Sequence, residues 1–264
     1  MNDGAFALID CLGFKGLWNL GHEQLVSKLR QVKNTVREGL HNFLSSPGHP
    51  LHINPDSFEM DVLLLSDTIA ISVRLKQNDN ATISLRQLQY EHKWPCLIVT
   101  SVIIYALIDL FLDNEPHLLL RGCITYGKHI IEENFLIGPA VDEAAEYMNE
   151  AQGAFIWFLP MAAGDIQVIL PDNENNFMFS FFDIMCPEYQ VPIKGGHYLH
   201  TRVINPLFSK KSDVTDNLLS IYYKAMSVDK MDVWMKRQFT IGFLKYCIDK
   251  NKMLFNLIEK ANAK

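Results

Sequence analysis

Ala5-Phe6-Ala7-Leu8-Ile9-Asp10-Cys11-Leu12-Gly13 opens the chain with a compact apolar run that an acid stops. A run of that length reads as a buried strand, and Asp10-Cys11-Leu12-Gly13 as its sharp turn into a helix. Leu63-Leu64-Leu65-Ser66-Asp67-Thr68 repeats the pattern: β-rich runs over 58–65 and 68–73 make a hairpin with Asp67 at or near its tip. A single Asp at a strand end is ordinarily a helix cap or turn former. Two that interrupt apolar strands admit a second reading. If the strands are neighbours, two carboxylates meet at one sheet edge, where hard oxygen ligands suit Mg²⁺ or Mn²⁺. That would be a two-metal site of the kind used for in-line phosphoryl chemistry. The turn after Asp10 offers free amides and a positive helix end, which favour a phosphate chain. Spacing alone leaves both readings open.

Outward from these strands, Leu25, Leu29, Val32, Val36, Leu40 and Phe43 recur at three- and four-residue steps and predict a helix over 17–44. The Pro/Gly/His stretch 45–55 is a loop. Polar residues 76–92 lead into an apolar helix over 96–112, which is short for a membrane span, contains Asp109 and reads as a buried helix. Strands are expected at 118–126 and 129–137, flanking Gly127-Lys128. A helix follows from Pro139 to about Glu150, with proline in the first turn where its missing N–H costs nothing. Further strands are expected at 154–159, 166–170, 177–184 and 198–204, and two or three helices over 213–264. The order predicts an α+β sandwich with helices against one mainly antiparallel sheet, built as a domain over 1–205 and a C-terminal helical extension over 206–264.

Composition narrows the function. With 264 residues, 48% of them hydrophobic, the chain can bury one sizeable core. A net charge of −6 argues against the broad basic face that nucleic acid demands. An anionic ligand must then be held by backbone amides, metals or a few placed cations. The cysteines Cys11, Cys96, Cys123, Cys186 and Cys247 are widely spaced, with no zinc-ligand pattern, and reduced thiols in the cytoplasm are the expectation. Asp3 before a short apolar run, without a basic n-region, does not read as a secretory signal. The histidines form no metal spacing, His197 and His200 being a dispersed pair, and no Walker A, Gly-x-Ser-x-Gly or Gly-x-Gly-x-x-Gly sequence occurs.

Four stretches, in order, resemble the class III nucleotidyl cyclases. Residues 5–15 are similar to that family's first strand and its Asp-x-x-Gly-Phe metal and phosphate turn. Leu63 to Ile71 resembles the second motif, with Ser66-Asp67 where the family has Gly-Asp. Leu120-Arg121-Gly122-Cys123-Ile124-Thr125-Tyr126-Gly127 resembles the Arg-Val-Gly-Ile-His-Thr-Gly strand, and Ile137-Gly138-Pro139-Ala140-Val141-Asp142-Glu143-Ala144 the Gly-x-x-Val-Asn-x-Ala helix start. Within the superfamily, Leu-Arg-Gly, a short hairpin, Gly-Pro-Ala and an acidic helix look most like the bacterial Pycsar pyrimidine cyclases of antiphage signalling.

The resemblance implies a ferredoxin-like βαββαβ catalytic domain that works as a homodimer with shared sites. It implies two divalent cations, Mg²⁺ or Mn²⁺, held by Asp10 and Asp67 with the backbone carbonyl of Cys11. Amides of Leu12, Gly13, Phe14 and Lys15 would hold the triphosphate. Asp142 stands at the helix position that is Asn in adenylyl and guanylyl cyclases, and Glu146 where their transition-state arginine stands. Arg121 and Lys194 are the candidate replacements. Asp61 and Phe135 occupy the base-reading positions and do not support adenine, so UTP is expected ahead of CTP. The alternatives are a purine cyclase with an unusual pocket, and a catalytically silent module that dimerises or binds a nucleotide.

Overall fold

The structure, a computed structural model, describes residues 2–12, 14, 18–44, 54–76, 85–113, 117–133, 135–169, 177–208, 210, 212–225 and 230–262. Its first strand, β1 (Asn2–Leu12), sits in the middle of the main sheet, with Ala5 to Ile9 buried throughout. Burial on both faces is why its apolar run does not alternate. The helix α1 (Trp18–Leu44) follows, and Leu25, Val32 and Val36 on its expected apolar face are fully buried. The hairpin of β2 (Phe58–Leu65) and β3 (Thr68–Leu75) turns at Ser66-Asp67, as read from the sequence.

The buried helix α2 (Leu85–Asp113) packs on β1 and β3. Within it the 21-residue stretch Lys93–Asp113 is long and apolar enough to cross a membrane, yet 78% of its most apolar window is buried inside this chain. Its Thr100 and Ser101 hydroxyls donate back to the carbonyls of Cys96 and Leu97, both at 2.8 Å, so neither is orphaned in the core.

The expected turn at Gly127-Lys128 is absent. The strand β4 (Leu119–Glu132) runs straight through it, and β5 (Phe135–Ile137) returns only after Glu133. Gly127 marks close packing instead: a Cβ there would stand 3.2 Å from the Met161 methyl and 3.6 Å from the Ala140 methyl, on helices laid over the strand. Those helices are α3 (Pro139–Tyr147) and α4 (Pro160–Ile169), separated by the short β6 (Ile156–Phe158).

The main sheet has the order β2-β3-β1-β4-β5, antiparallel at each step, with β6 parallel to β4. Two expected strands are helices: 166–170 falls largely in α4, and 177–184 in α5 (Phe177–Met185). Both segments are apolar nearly all round, so no two-residue alternation was there to set them as strands. A second, two-stranded sheet pairs β7 (Glu188–Ile193), which the sequence reading missed, with β8 (His197–Arg202).

Two C-terminal helices, α6 (Ser212–Ala225) and α7 (Met231–Asn262), close the chain. α7 is tied back at several points. The Thr240 hydroxyl accepts from the Ala154 amide (2.9 Å), the Tyr246 hydroxyl donates to the Glu188 carbonyl (2.9 Å), Lys250 pairs with Asp183 (3.2 Å), and Asn251 accepts from Asn205 (3.1 Å).

Candidate active site

Strand alternation sets Asp10 on the same face of the sheet as Phe6 and Leu8, with Arg121, Cys123 and Thr125 of β4 beside them. α3 lies over part of this face: the Cys123 thiol donates to the Ala144 carbonyl (3.5 Å), and the Thr125 hydroxyl donates to the Glu143 carboxylate.

At the end of the sheet the two acids of the sequence reading come together. Asp10 pairs across the ladder with Thr68 on one side and Arg121 on the other, and the Cys11 amide donates to the Asp67 carbonyl at 2.9 Å. The Cys11 thiol, pushed up to about 12 chiefly by burial, is raised further by the charges of both Asp10 and Asp67. Arg121 donates to Asp10 Oδ2 at 2.7 Å, both side chains being mostly buried. Its Nε is buried without a hydrogen-bond partner. Arg121 therefore pairs with Asp10 of its own chain.

Among the described residues no group of three His, Cys, Asp or Glu side chains could hold a metal. Two carboxylates and the Cys11 carbonyl form an all-oxygen donor set. That fits Mg²⁺ or Mn²⁺, which take one or two carboxylates and complete their shell with water and substrate phosphate. It does not fit a closed structural zinc site.

Of the expected phosphate-binding stretch, Leu12 lies in β1, opposite Leu119, and the Phe14 side chain is buried in the core. Gly13 and Lys15 lie outside the described residues.

Asp61 and Phe135 line one cavity of about 790 Å³, between α1, β2 and the β4–β5 hairpin, together with Lys33, Arg37, Glu132 and Glu133. Asp61 is paired with Arg74 of the next strand. Through Ser72 its register matches Phe6, four residues from Asp10, so Asp61 stands about 13 Å along the sheet from Asp10, while Leu63, which also lines the cavity, matches Leu8 through Ala70, about 7 Å along. Lys194 stands at the β7–β8 turn, where its ammonium holds Glu150 at 3.1 Å. Asp142 is exposed in the first turn of α3, where an acid suits the positive helix end, and Glu146 is exposed on the same helix. Neither Lys194 nor Asp142 has a described contact with Asp10 or Asp67. Lys33 and Arg37 escaped the sequence reading because, on an amphipathic helix, they look like its solvated face.

No family model matches the chain, and no curated protein matches it. Among solved structures it is similar to the crystal structure of the adenylyl cyclase CyaB from P. aeruginosa, at 13% identity and a TM-score of 0.43, over 77% of this chain and 94% of that chain.

Proposed function

We propose that the chain is a class III nucleotidyl cyclase that closes a nucleoside triphosphate into its 3′,5′-cyclic monophosphate and releases pyrophosphate. The observation that carries this reading is the junction of Asp10 and Asp67, fixed by the Cys11 amide on the Asp67 carbonyl. The strand order β2-β3-β1-β4, with α1 and α2 as the crossovers, supports it as the ferredoxin-like arrangement that the motifs imply.

Asp10, Asp67 and the Cys11 carbonyl would hold two divalent cations, which when bound lower the pKa of the 3′-hydroxyl and offset charge on the leaving pyrophosphate. The chain's own residues do the rest. Amides of Leu12 to Lys15, ahead of α1, bind the triphosphate. Arg121 keeps the Asp10 carboxylate aimed before substrate arrives. Because Asp61 stands about 13 Å along the sheet from Asp10 of the same chain, a twofold homodimer supplies both halves of each site. Phe135 offers a stacking surface, and Asp61 is already engaged by Arg74, which favours a pyrimidine, UTP ahead of CTP. Second-messenger synthesis in cytoplasmic antiphage defence is the role this assigns.

The Asp10–Arg121 ion pair favours one other reading, a silent module whose arginine permanently fills the cation position. Incubation with each of the four ribonucleoside triphosphates and Mn²⁺, with products identified by mass, separates the two. A cyclic pyrimidine product that disappears in Asp10→Ala and Asp67→Ala proteins of unchanged circular dichroism is expected. No product from any triphosphate refutes the cyclase reading.

A further inference from the structure

The cavity beside β2 carries two cations that hold no described acid. Arg74, Arg121, Lys194, Arg202, Lys210 and Lys250 each hold an acid. Lys33 and Arg37 line the cavity and make no ion pair or hydrogen bond with another described residue. They are four residues apart on α1, so like charges sit side by side on one helix face, which is unfavourable without a ligand or acid between them. The helix cannot roll to separate them from the cavity, because the adjacent Val32 and Val36 are fully buried.

Around the same cavity, Phe135 presents a ring that is 45% exposed, and Glu132 and Glu133 bring acceptors. Lysine and arginine side chains are donors only, so what they recognise must offer lone pairs. Arg121 is bonded to Asp10 at the far end of the sheet and does not reach this cavity's lining. A base with two ring carbonyls, flat enough to lie on Phe135, matches donors on one wall and acceptors on the other. Adenine has no carbonyl, and guanine and cytosine have one each.

We infer that Lys33 and Arg37 are the specificity-determining residues of the cavity, donating to the two carbonyl oxygens of a uracil-type base stacked on Phe135. This rests on the cyclase reading for the identity of the reaction, but the recognition itself is measurable without turnover.

The experiment uses the full chain, wild type and Lys33→Gln, Arg37→Gln and the double variant, each checked for its thermal midpoint. Both side chains are exposed on a helix surface, so folding should survive, and either single variant suffices if the double does not fold. Steady-state kinetics on all four triphosphates should show KM for UTP raised about tenfold or more in the double variant, the loss of one or two hydrogen bonds to charged donors, with kcat nearly unchanged. CTP should lose less, and ATP and GTP least. Retention of the wild-type UTP-to-CTP ratio overturns the inference while leaving the cyclase reading intact. An equal loss on all four triphosphates overturns it too, because the cations would then be holding phosphate. If the wild type turns over none of them, the cyclase reading falls and equilibrium dialysis decides with phosphate-free uridine. Binding that Arg37→Gln weakens sustains the inference, and equal or absent binding in both proteins overturns it.

Discussion

Ser66 holds a left-handed backbone, with φ of 60°, at the tip of the β2–β3 hairpin. An L-residue pays for that region, and glycine does not. Ser66→Gly is therefore expected to stabilise the protein by about 0.5–1 kcal/mol, as the relief of turn strain exceeds the added unfolded-state entropy. Urea denaturation reads it directly, and a lowered midpoint contradicts it. His129 makes a second prediction at this scale. It is fully buried, its ring nitrogens at 2.7 Å from the Ser72 hydroxyl and 2.9 Å from the Gly127 carbonyl oxygen. Burial holds its pKa below the ordinary value, with Arg74 adding to the effect and the Gly127 carbonyl, Asp61 and Asp3 opposing it. The unfolded chain then binds the proton more readily, so the contribution is complete above about pH 6.5 and is lost as pH falls through the lower folded value. The urea midpoint of wild type should drop more steeply between pH 7 and 5 than that of His129→Gln, by at most about 1.4 kcal/mol per pH unit. Equal slopes would remove His129 from the account. Of the candidate site, Asp10 and Asp67 were legible because each breaks an apolar run. The partnership of Asp10 with Arg121 was not, since residues 111 positions apart meet only through a ladder register that no local pattern encodes.

Elements were legible where periodicity was unambiguous. The α1 stripe and the hairpin arms have clear signatures, and β1 is short, apolar and terminated. α4 and α5 carry apolar residues on every side and offered no period to read, while β7 hides behind Pro192 and polar neighbours. Glycine was the other source of error, because one residue serves turns and close approaches alike. The two β4 glycines separate these uses. A Cβ on Gly122 would lie 2.2 Å from the Leu8 carbonyl oxygen, in the backbone of β1, which cannot yield. On Gly127 it would meet chiefly the end of the flexible Met161 side chain at 3.2 Å. Gly122→Ala should cost about 3 kcal/mol or prevent folding, and Gly127→Ala about 1 kcal/mol or less. Similar losses in thermal and urea melts would mean that β1 and β4 can separate more freely than their register indicates.

At the scale of the whole molecule, shared sites make a quantitative demand. Asp67→Asn and Asp142→Ala proteins, each inactive alone, should recover about a quarter of wild-type activity when mixed and allowed to exchange, since half the dimers are mixed and each keeps one intact site. Verified exchange with no recovery refutes the shared-site arrangement. Placing Asp10 at the end of the central, doubly covered strand also has a consequence for how the protein breathes. Amides of Ala5 to Ile9 lie in β1 between β3 and β4 and can be opened only by parting the sheet, so their hydrogen exchange should track global unfolding. The exposed Leu65 and Ser66 on the neighbouring hairpin have no such cover and should exchange by local opening. The two acids would then sit on opposite sides of a boundary in protection: Asp10 on the slowest-exchanging strand of the fold, and Asp67 on a faster-exchanging turn held to that strand by one backbone hydrogen bond, from the Cys11 amide.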